Sequence, residues 1–562
     1  MASWSLVAVI GLGLSLLLPA SPAAGLPRPV LLAVGVGVAW FLVAAATSAT
    51  PALSILGRYP RYEGVLAVLG YCLAMAAGAR LLGPSAPQNR DFFTSSIAVA
   101  AVVTAVVAVI QLALDPNARV IGLLGNSSIL GGWASMAFCL IGWRSLQRRH
   151  PLWLVGLACA GLTVLVAASR AAWLGLGIAL IGTLAVRLAS RPRPRWWVAP
   201  AVLVGFGLLA WLVPQTQARV TGSTPFATAT VNGRLLLWAD TWPLVAEHPL
   251  TGVGPSRFVD AIGAYHSPSW AAAVGPYAPP DSPHNVVLQV LAATGPMGLA
   301  ACLALVVTVM VALWHARPWD DWQSGTVTAL VALATGYLFS FTDPVTTTLA
   351  MVILGGAAAA PQMTTPPWRR RLRLAGVTTW LVVASILAGT ALIAEARYSA
   401  VLAERSATPA QLLEVASIRP WDADLAIRLG RTFAELAVEG SAPAGSAIPL
   451  VSSACSQLPS SSECAMVLGD LQTIAGEPAS AVATLQKARR IDPNNVDLLL
   501  KLGIAQAEND SPGDAEASFL QAANLRPTAP EPWRDLATLY RRIGRDAEAA
   551  IAEAKAEKVQ PR

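Results

Sequence analysis

The sequence predicts an all-α chain in which a polytopic transmembrane helical bundle is followed by an α-solenoid. Three observations predict it. Of the 562 residues 55% are hydrophobic and only 13% are charged, where soluble domains carry about 25% charged residues. Long apolar runs with short polar breaks extend to about residue 395, after which the charge is mixed as in a soluble domain. In that second part prolines recur at a fixed interval. The chain is therefore expected to divide into a polytopic membrane domain, 1–395, with a large outer loop at 214–284, and a repeat domain, 396–562.

A helical span needs roughly 20 apolar residues. Twelve stretches approach this: 4–20, 30–49, 65–82, 93–114, 128–146, 152–168, 171–188, 197–213, 285–314, 324–341, 345–360 and 375–394. Arginines cluster in three short loops, at Arg144, Arg148 and Arg149, at Arg187, Arg191, Arg193 and Arg195, and at Arg369, Arg370, Arg371 and Arg373. Such clusters beside apolar spans mark cytoplasmic loops, because positive charge resists translocation. The net charge of +7 is thereby read as topology, not as nucleic-acid binding. With those loops inside, 50–64, 115–127, 169–170, 214–284, 342–344 and everything after the last span face outward. Parity places Met1 outside, and the first run has no basic flank, so a cleaved signal peptide is not expected. The expected count is eleven to thirteen spans.

In the second part Pro459, Pro493, Pro527 and Pro561 recur every 34 residues, and Leu468-Gly469 and Leu502-Gly503 keep the same interval. That is the tetratricopeptide period. Each proline closes one helix pair because it cannot continue a helix interior. A less regular unit starts near Pro420. Stacked pairs form a curved solenoid whose concave face binds peptides or proteins, so a cell-envelope protein partner is expected there; a stiff spacer is the plainer alternative. Cys72, Cys139, Cys159 and Cys302 fall in apolar runs and are read as packing residues, whereas Cys455 and Cys464 lie on the outward, oxidising side and are expected to pair.

Chemistry-bearing residues gather on the outward face. The loop 214–284 holds three of the five histidines, His248, His266 and His284, together with Arg234, Arg257 and Asp281. Other outward arginines are Arg58 and Arg61 in GRYPRYEG, Arg119 before LLGNSS, and Arg170 in SRAAW. Arg170 falls in a turn of two residues between apolar runs, and an ionisable residue at that depth is a functional candidate. Snorkelling of its long stem to the interface is the competing explanation. Several guanidiniums on one face suit a phosphate-bearing lipid, since arginine matches phosphate oxygens bidentately. No spacing of His, Cys, Asp or Glu fits a metal, and no Walker, G-x-S-x-G or H-E-x-x-H motif occurs.

His284-Asn285, nine residues, then Gly295-Pro-Met-Gly298 reads as H-N-x9-G-x-x-G. This resembles the signature of the O-antigen ligase / O-antigen polymerase (Wzy-type) membrane family. R-x-x-x-W at 234–238, PLTGVGPSRF at 249–258, GRYPRYEG at 57–64, GNSS at 125–128 and SRAAW at 169–173 are similar to that family in the same order. The resemblance spans roughly 50–360, with parity leaving one helix fewer before GRYPRYEG than the family pattern.

It implies a GT-C-like bundle in the bacterial cell membrane and an extracytoplasmic repeat domain. It implies an enzyme that moves a glycan from a polyprenyl diphosphate carrier to a hydroxyl on a glycan, lipid or protein acceptor, with inversion and without metal, nucleotide sugar or other cofactor. His284 would be the acceptor base, and Arg170 and Arg234 would hold the diphosphate. Arg58, Arg61, Arg119 and Arg257 are supporting candidates, and Asn285 or Asp281 would orient the imidazole. Gly295 and Gly298 would let the following helix pack closely. Ligase, polymerase and protein O-oligosaccharyltransferase share these motifs. Two other classes compete. A polyprenyl-phosphate-sugar glycosyltransferase would use Glu63 as base, so Glu63→Gln and not His284→Ala would abolish activity. A non-catalytic membrane-anchored repeat scaffold would depend on 400–562 alone.

Overall fold

A computed structural model describes residues 24–84, 86–115, 119–146, 148–190, 225–274, 280–317, 319–361, 367–403 and 408–559, with a few positions near 10–16 and 204–211. The described residues are all-α, with 23 α-helices, three short 3-10 segments and one two-residue β pairing of Ala24–Gly25 with Ala360–Pro361. They fall into two compact units. One comprises 1–46, 55–228 and 284–388, and the other 47–54, 229–283 and 389–562.

The first unit contains α1 (Arg28–Ala46), α3 (Val65–Leu81), α4 (Pro87–Leu114), α5 (Ser127–Ser145), α6 (Pro151–Val166), α7 (Arg170–Ser190), α11 (Val286–His315), α12 (Asp321–Tyr337) and α13 (Pro344–Ala358), and the start of α14 (Pro367–Ala403). These ten helices lie on ten of the twelve apolar stretches; 4–20 and 197–213 lie, for the most part, outside the described residues. Among the described residues, four helices are long and apolar enough to cross a membrane by themselves: Arg28–Ala46, Pro87–Leu114, Val286–His315 and Arg371–Ala403. Val65–Leu81, Pro151–Val166, Arg170–Gly182 and Pro344–Ala358 are shorter apolar helices.

Local chemistry sets the helix ends. Asn126 caps α5 by accepting from the Ser128 amide at 2.8 Å, and Asp320 with Gln323 forms a capping box on α12. The GNSS turn is thus a helix start. Apolar length alone does not pack helices in lipid, where close backbone approach through small residues takes over. The α3–α13 seam shows this: a Cβ on Gly78 would lie 2.0 Å from the Val352 carbonyl oxygen, and one on Gly355 1.9 Å from that of Met75.

In the second unit three helix pairs occupy the intervals between the repeating prolines. They are α18 (Ser462–Ile474) with α19 (Pro478–Ile491), α20 (Val496–Glu508) with α21 (Pro512–Leu525), and α22 (Glu531–Arg542) with α23 (Asp546–Val559). Ahead of them α15 (Pro409–Ile418), α16 (Ala423–Val438) and α17 (Ile448–Gln457) form the less regular start. Leu412, Leu429, Phe433 and Val451 are fully buried in that start, Leu471 of α18 joins the same core, and Leu485, Leu498 and Leu502 continue it into the repeats. Arg542 of α22 pairs with Glu508 of α20 at 2.6 Å, and Lys501 of α20 pairs with Asp470 of α18. Solvent-accessible pairs of this kind add only about 0–1 kcal/mol each, so the apolar seams carry the stacking.

Cys455 and Cys464 are joined by a disulfide that ties α17 to α18. Closing a loop of this size removes unfolded-state entropy worth about 2–3 kcal/mol. Adding reductant is therefore expected to lower the melting temperature of the repeats, and Cys455→Ser/Cys464→Ser should show no such response. The Asp535 carboxyl is pushed up to about 6, first by burial and then by Glu531 beside it. A carboxyl raised above its unfolded value (about 3.9) contributes most at low pH, and that contribution is lost as pH rises through about 6. Asp535→Asn is expected to flatten this part of the melting temperature against pH.

Candidate active site

His284 and Asn285 stand at the start of α11, and their local geometry follows from residue type. Asn285 is extended (φ −152°, ψ 118°) and its side-chain oxygen accepts from the Val287 and Leu288 amides at 2.9 and 3.1 Å. It is the helix cap, a role that asparagine fills well. Its Nδ2 donates to the Leu338 carbonyl at 3.0 Å, which fastens α11 to the turn after α12. His284, the residue before the cap, has φ +52°. Histidine is among the side chains enriched in that left-handed region. Its half-buried ring lies on Phe341, with centroids 5.3 Å apart and planes at 53°.

The same phenyl ring carries Arg61 at 5.3 Å from its centroid. Arg61 pairs with Glu63 at 3.2 Å and donates to the Thr342 carbonyl at 3.2 Å. Glu63 further accepts from Thr342 Oγ1 at 2.7 Å, Tyr71 Oη at 3.0 Å and Gln289 Nε2 at 3.5 Å. GRYPRYEG, the H-N pair and the turn 338–343 are thus one polar assembly. Phe341, Thr342, Gln289 and Tyr71 carried no signal in the sequence; only the Ser-Phe-Thr-Asp-Pro break between apolar runs hinted at a turn. Arg58 is buried in the same first-loop segment.

A small cleft, open to its surroundings, lies among α5, α7, α12, the turn 338–343 and the start of α13. Ser128, Ala171, Tyr337, Phe341, Asp343 and Thr346 are among its walls. Phe341 therefore has His284 against its ring and also borders the cleft. Arg170 directly precedes Ala171 and is exposed as the first residue of α7. A cation at a helix N-terminus meets the positive end of the macrodipole; an anion held there relieves both charges. Arg119 is exposed in the segment before α5.

Arg234, Arg257 and Asp281 belong to the second unit. Arg234 is half-buried on α8 (Pro225–Glu247), one turn before Trp238, whose indole N–H donates to the Pro283 carbonyl at 2.7 Å. The R-x-x-x-W spacing therefore puts a guanidinium and an anchor of the Pro283 segment on one helix face. Arg257 is buried against Asp260 at 2.6 Å, at the start of α9 (Phe258–Ala261). Its charge is committed inside the loop. Asp281 is half-buried two residues before Pro283. Tyr265 donates to Glu247 at 2.6 Å, and its hydroxyl is pushed up to about 12 by burial and by that carboxylate. Among the described residues no group of three His, Cys, Asp or Glu side chains is arranged to hold a metal.

Ten residues after Asn285, Gly295 has φ +68° and ψ −176° and breaks α11 into two helical runs ahead of Pro296. That backbone region is essentially glycine-only and costs other residues about 1–3 kcal/mol. Gly295 is thus a kink, whereas a Cβ on Gly298 would meet Thr294 Oγ1 at 2.0 Å and Trp40 at 3.3 Å, as close packing requires. Gly295→Ala is expected to destabilise the protein by about 1–3 kcal/mol, read as a lower melting temperature in detergent.

Residues 155–303 match the family described as O-antigen ligase (Wzy_C). No curated protein matches the chain. Among solved structures, the thermophilic TPR protein TTC0263 of Thermus thermophilus is similar at 24% identity, over 31% of this chain and 91% of its own, with a TM-score of 0.25. A MamA structure (MSR-1 C2) is similar at 25% identity over 29% and 92%, TM-score 0.24. A further crystal structure of MamA protein matches at 17% identity over 31% and 92%, TM-score 0.27.

Proposed function

We propose that this multi-pass membrane protein, with its O-antigen ligase region at 155–303, transfers a glycan from a polyprenyl diphosphate carrier to an acceptor hydroxyl. The observation that carries the reading is that the matched region includes Arg170, Arg234 and His284 in its sequence. A ring nitrogen of His284 takes the proton of the acceptor hydroxyl as its oxygen attacks the anomeric carbon. The bond from that carbon to the diphosphate oxygen breaks, and its electron pair leaves with the polyprenyl diphosphate. The configuration is inverted. Arg170 and Arg234 neutralise the charge that builds on the leaving group, which is the larger electrostatic task, while histidine accepts a proton near neutral pH. Turnover is expected to persist in chelator because guanidiniums supply the positive charge.

Asn285 and Phe341 position the imidazole in this scheme, and Arg61 and Arg58 support the same wall. Arg257, committed to Asp260, shapes the loop, and Arg119 and Asp281 are supporting candidates. Glu63 fits the role of base poorly, because its two oxygens already accept from Arg61, Tyr71, Thr342 and Gln289. The bundle is read as GT-C-like with about twelve spans, and the loop and repeats as lying on the outer face. Ligase, polymerase and protein O-oligosaccharyltransferase differ in acceptor. The test is the lipid-linked glycan profile of a null strain complemented with wild type or a His284 variant. Accumulated carrier-linked polymer indicates a ligase and accumulated single units a polymerase. Silent His284 and Arg234 variants beside a damaging deletion of 400–562 would favour the scaffold instead.

A further inference from the structure

Within the second unit, the loop segment 262–274 lies against the repeats. Ala271 of α10 (Pro268–Val274) is buried together with Val496, Leu499 and Ala522 of α20 and α21. The buried His266 stacks on Trp270 with centroids 3.8 Å apart and planes within 10°. Its Nδ1 lies 3.5 Å from Oδ1 of Asp492, a fully buried carboxylate in the turn between α19 and α20. Asn494 of that turn donates to the His266 carbonyl at 2.7 Å. The next residue, Ser267, gives its backbone N–H to Asp240 of α8 at 3.0 Å. Asp240 is itself buried and sits on the helix that carries Arg234 and Trp238. A single strand of contacts thus runs from the repeats, through His266 and Ser267, to the helix that holds Arg234.

We infer that the repeats are the seat of this loop, and that His266, Asp492 and Asn494 are positioning residues that set where Arg234 stands when the donor binds. The inference rests on the proposed transfer reaction for its functional half only. A loop of this length left undocked would have to be ordered in each catalytic cycle, at an entropic cost for every residue fixed. Docked on the repeats, that cost is met at folding and the guanidinium is preorganised for the diphosphate. The tetratricopeptide pairs then act on the chain's own loop, at the turn between repeats, in addition to any partner on their concave face.

The test uses the full chain in membranes. A Cβ built on Gly263 lies 3.2 Å from the Asp492 Cβ, close to the spacing of about 3.5–4.5 Å that a disulfide spans. Gly263→Cys/Asp492→Cys is expected to cross-link under oxidation, detected as a linked peptide by mass spectrometry. His266→Ala/Asn494→Ala is expected to raise amide exchange in 229–274 and to lower kcat/KM for the donor about 10- to 100-fold, the scale of a misplaced group, with the acceptor KM unchanged. Adding the two cysteines to that variant should restore donor kcat/KM when oxidised and lose it again in reductant, with reductant-treated wild type as control. Absence of the cross-link, or unchanged exchange, overturns the docking. Increased exchange with wild-type donor kinetics overturns the positioning role. If wild type transfers from no polyprenyl diphosphate donor, the transfer reading fails, while cross-link and exchange still judge the docking.

Discussion

Replacing His284 by Asn is expected to reduce glycan transfer by about 10²- to 10⁴-fold, the usual contribution of a positioned acid–base group. Asparagine is the informative substitute. Residue 284 has φ +52°, and Asn adopts that region readily whereas Ala does not. The variant should therefore keep the Asn285 cap and the bond from Asn285 to Leu338 while removing the proton acceptor. Expression and melting temperature should match wild type, and the carrier-linked glycan should accumulate. Normal transfer by His284→Asn would remove the histidine from the mechanism. Phe341→Leu makes a graded companion: it removes the ring that His284 and Arg61 both face, and should lower turnover less than His284→Asn does.

The second large effect concerns the leaving group. Arg234→Ala and Arg170→Ala are each expected to lower kcat and kcat/KM together by about 10²- to 10³-fold, the loss seen when one preorganised donor to a developing charge is removed. Lysine should rescue either position only in part, because a point charge does not reproduce the bidentate fork that matches phosphate oxygens. Purified protein with a labelled polyprenyl diphosphate donor checks this directly. A rise in KM at constant kcat would instead mean that these arginines hold ground state and transition state equally. Arg257→Ala is expected to differ from both. Its partner Asp260 would be left buried without its cation, so protein stability should fall, and the transfer loss should track the loss of folded protein.

The features that local chemistry controls were legible in the residues. Apolar run length located ten of the helices, and the 34-residue proline interval located three helix pairs, because each rule acts within one element. The disulfide between Cys455 and Cys464 nine residues apart and the spacing of Arg234 and Trp238 by one helical turn are likewise short-range; the cap at Asn285 is short-range too, although the residue pattern points only to its bearing on the imidazole. The kink at Gly295 shows the boundary of such reading. A glycine before proline within an apolar run admits both a notch and a break, and only the backbone of α11 decides between them.

Long-range neighbours belong to the tertiary structure. Nothing in the residue pattern links Glu63 to Thr342 and Gln289, or sets Phe341 between His284 and Arg61, since the 61–63 segment lies more than two hundred positions from the others and His284 and Phe341 lie at opposite ends of two helices. The same holds for His266 meeting Asp492, by which a loop expected to belong to the membrane domain lies in one compact unit with the repeats. The sequence by itself determined helical class, repeat period and the inventory of arginines and histidine, because backbone hydrogen bonding and apolar length act locally. Tertiary packing alone decided which of those side chains face one another and which, like Glu63 and Arg257, are already committed to partners.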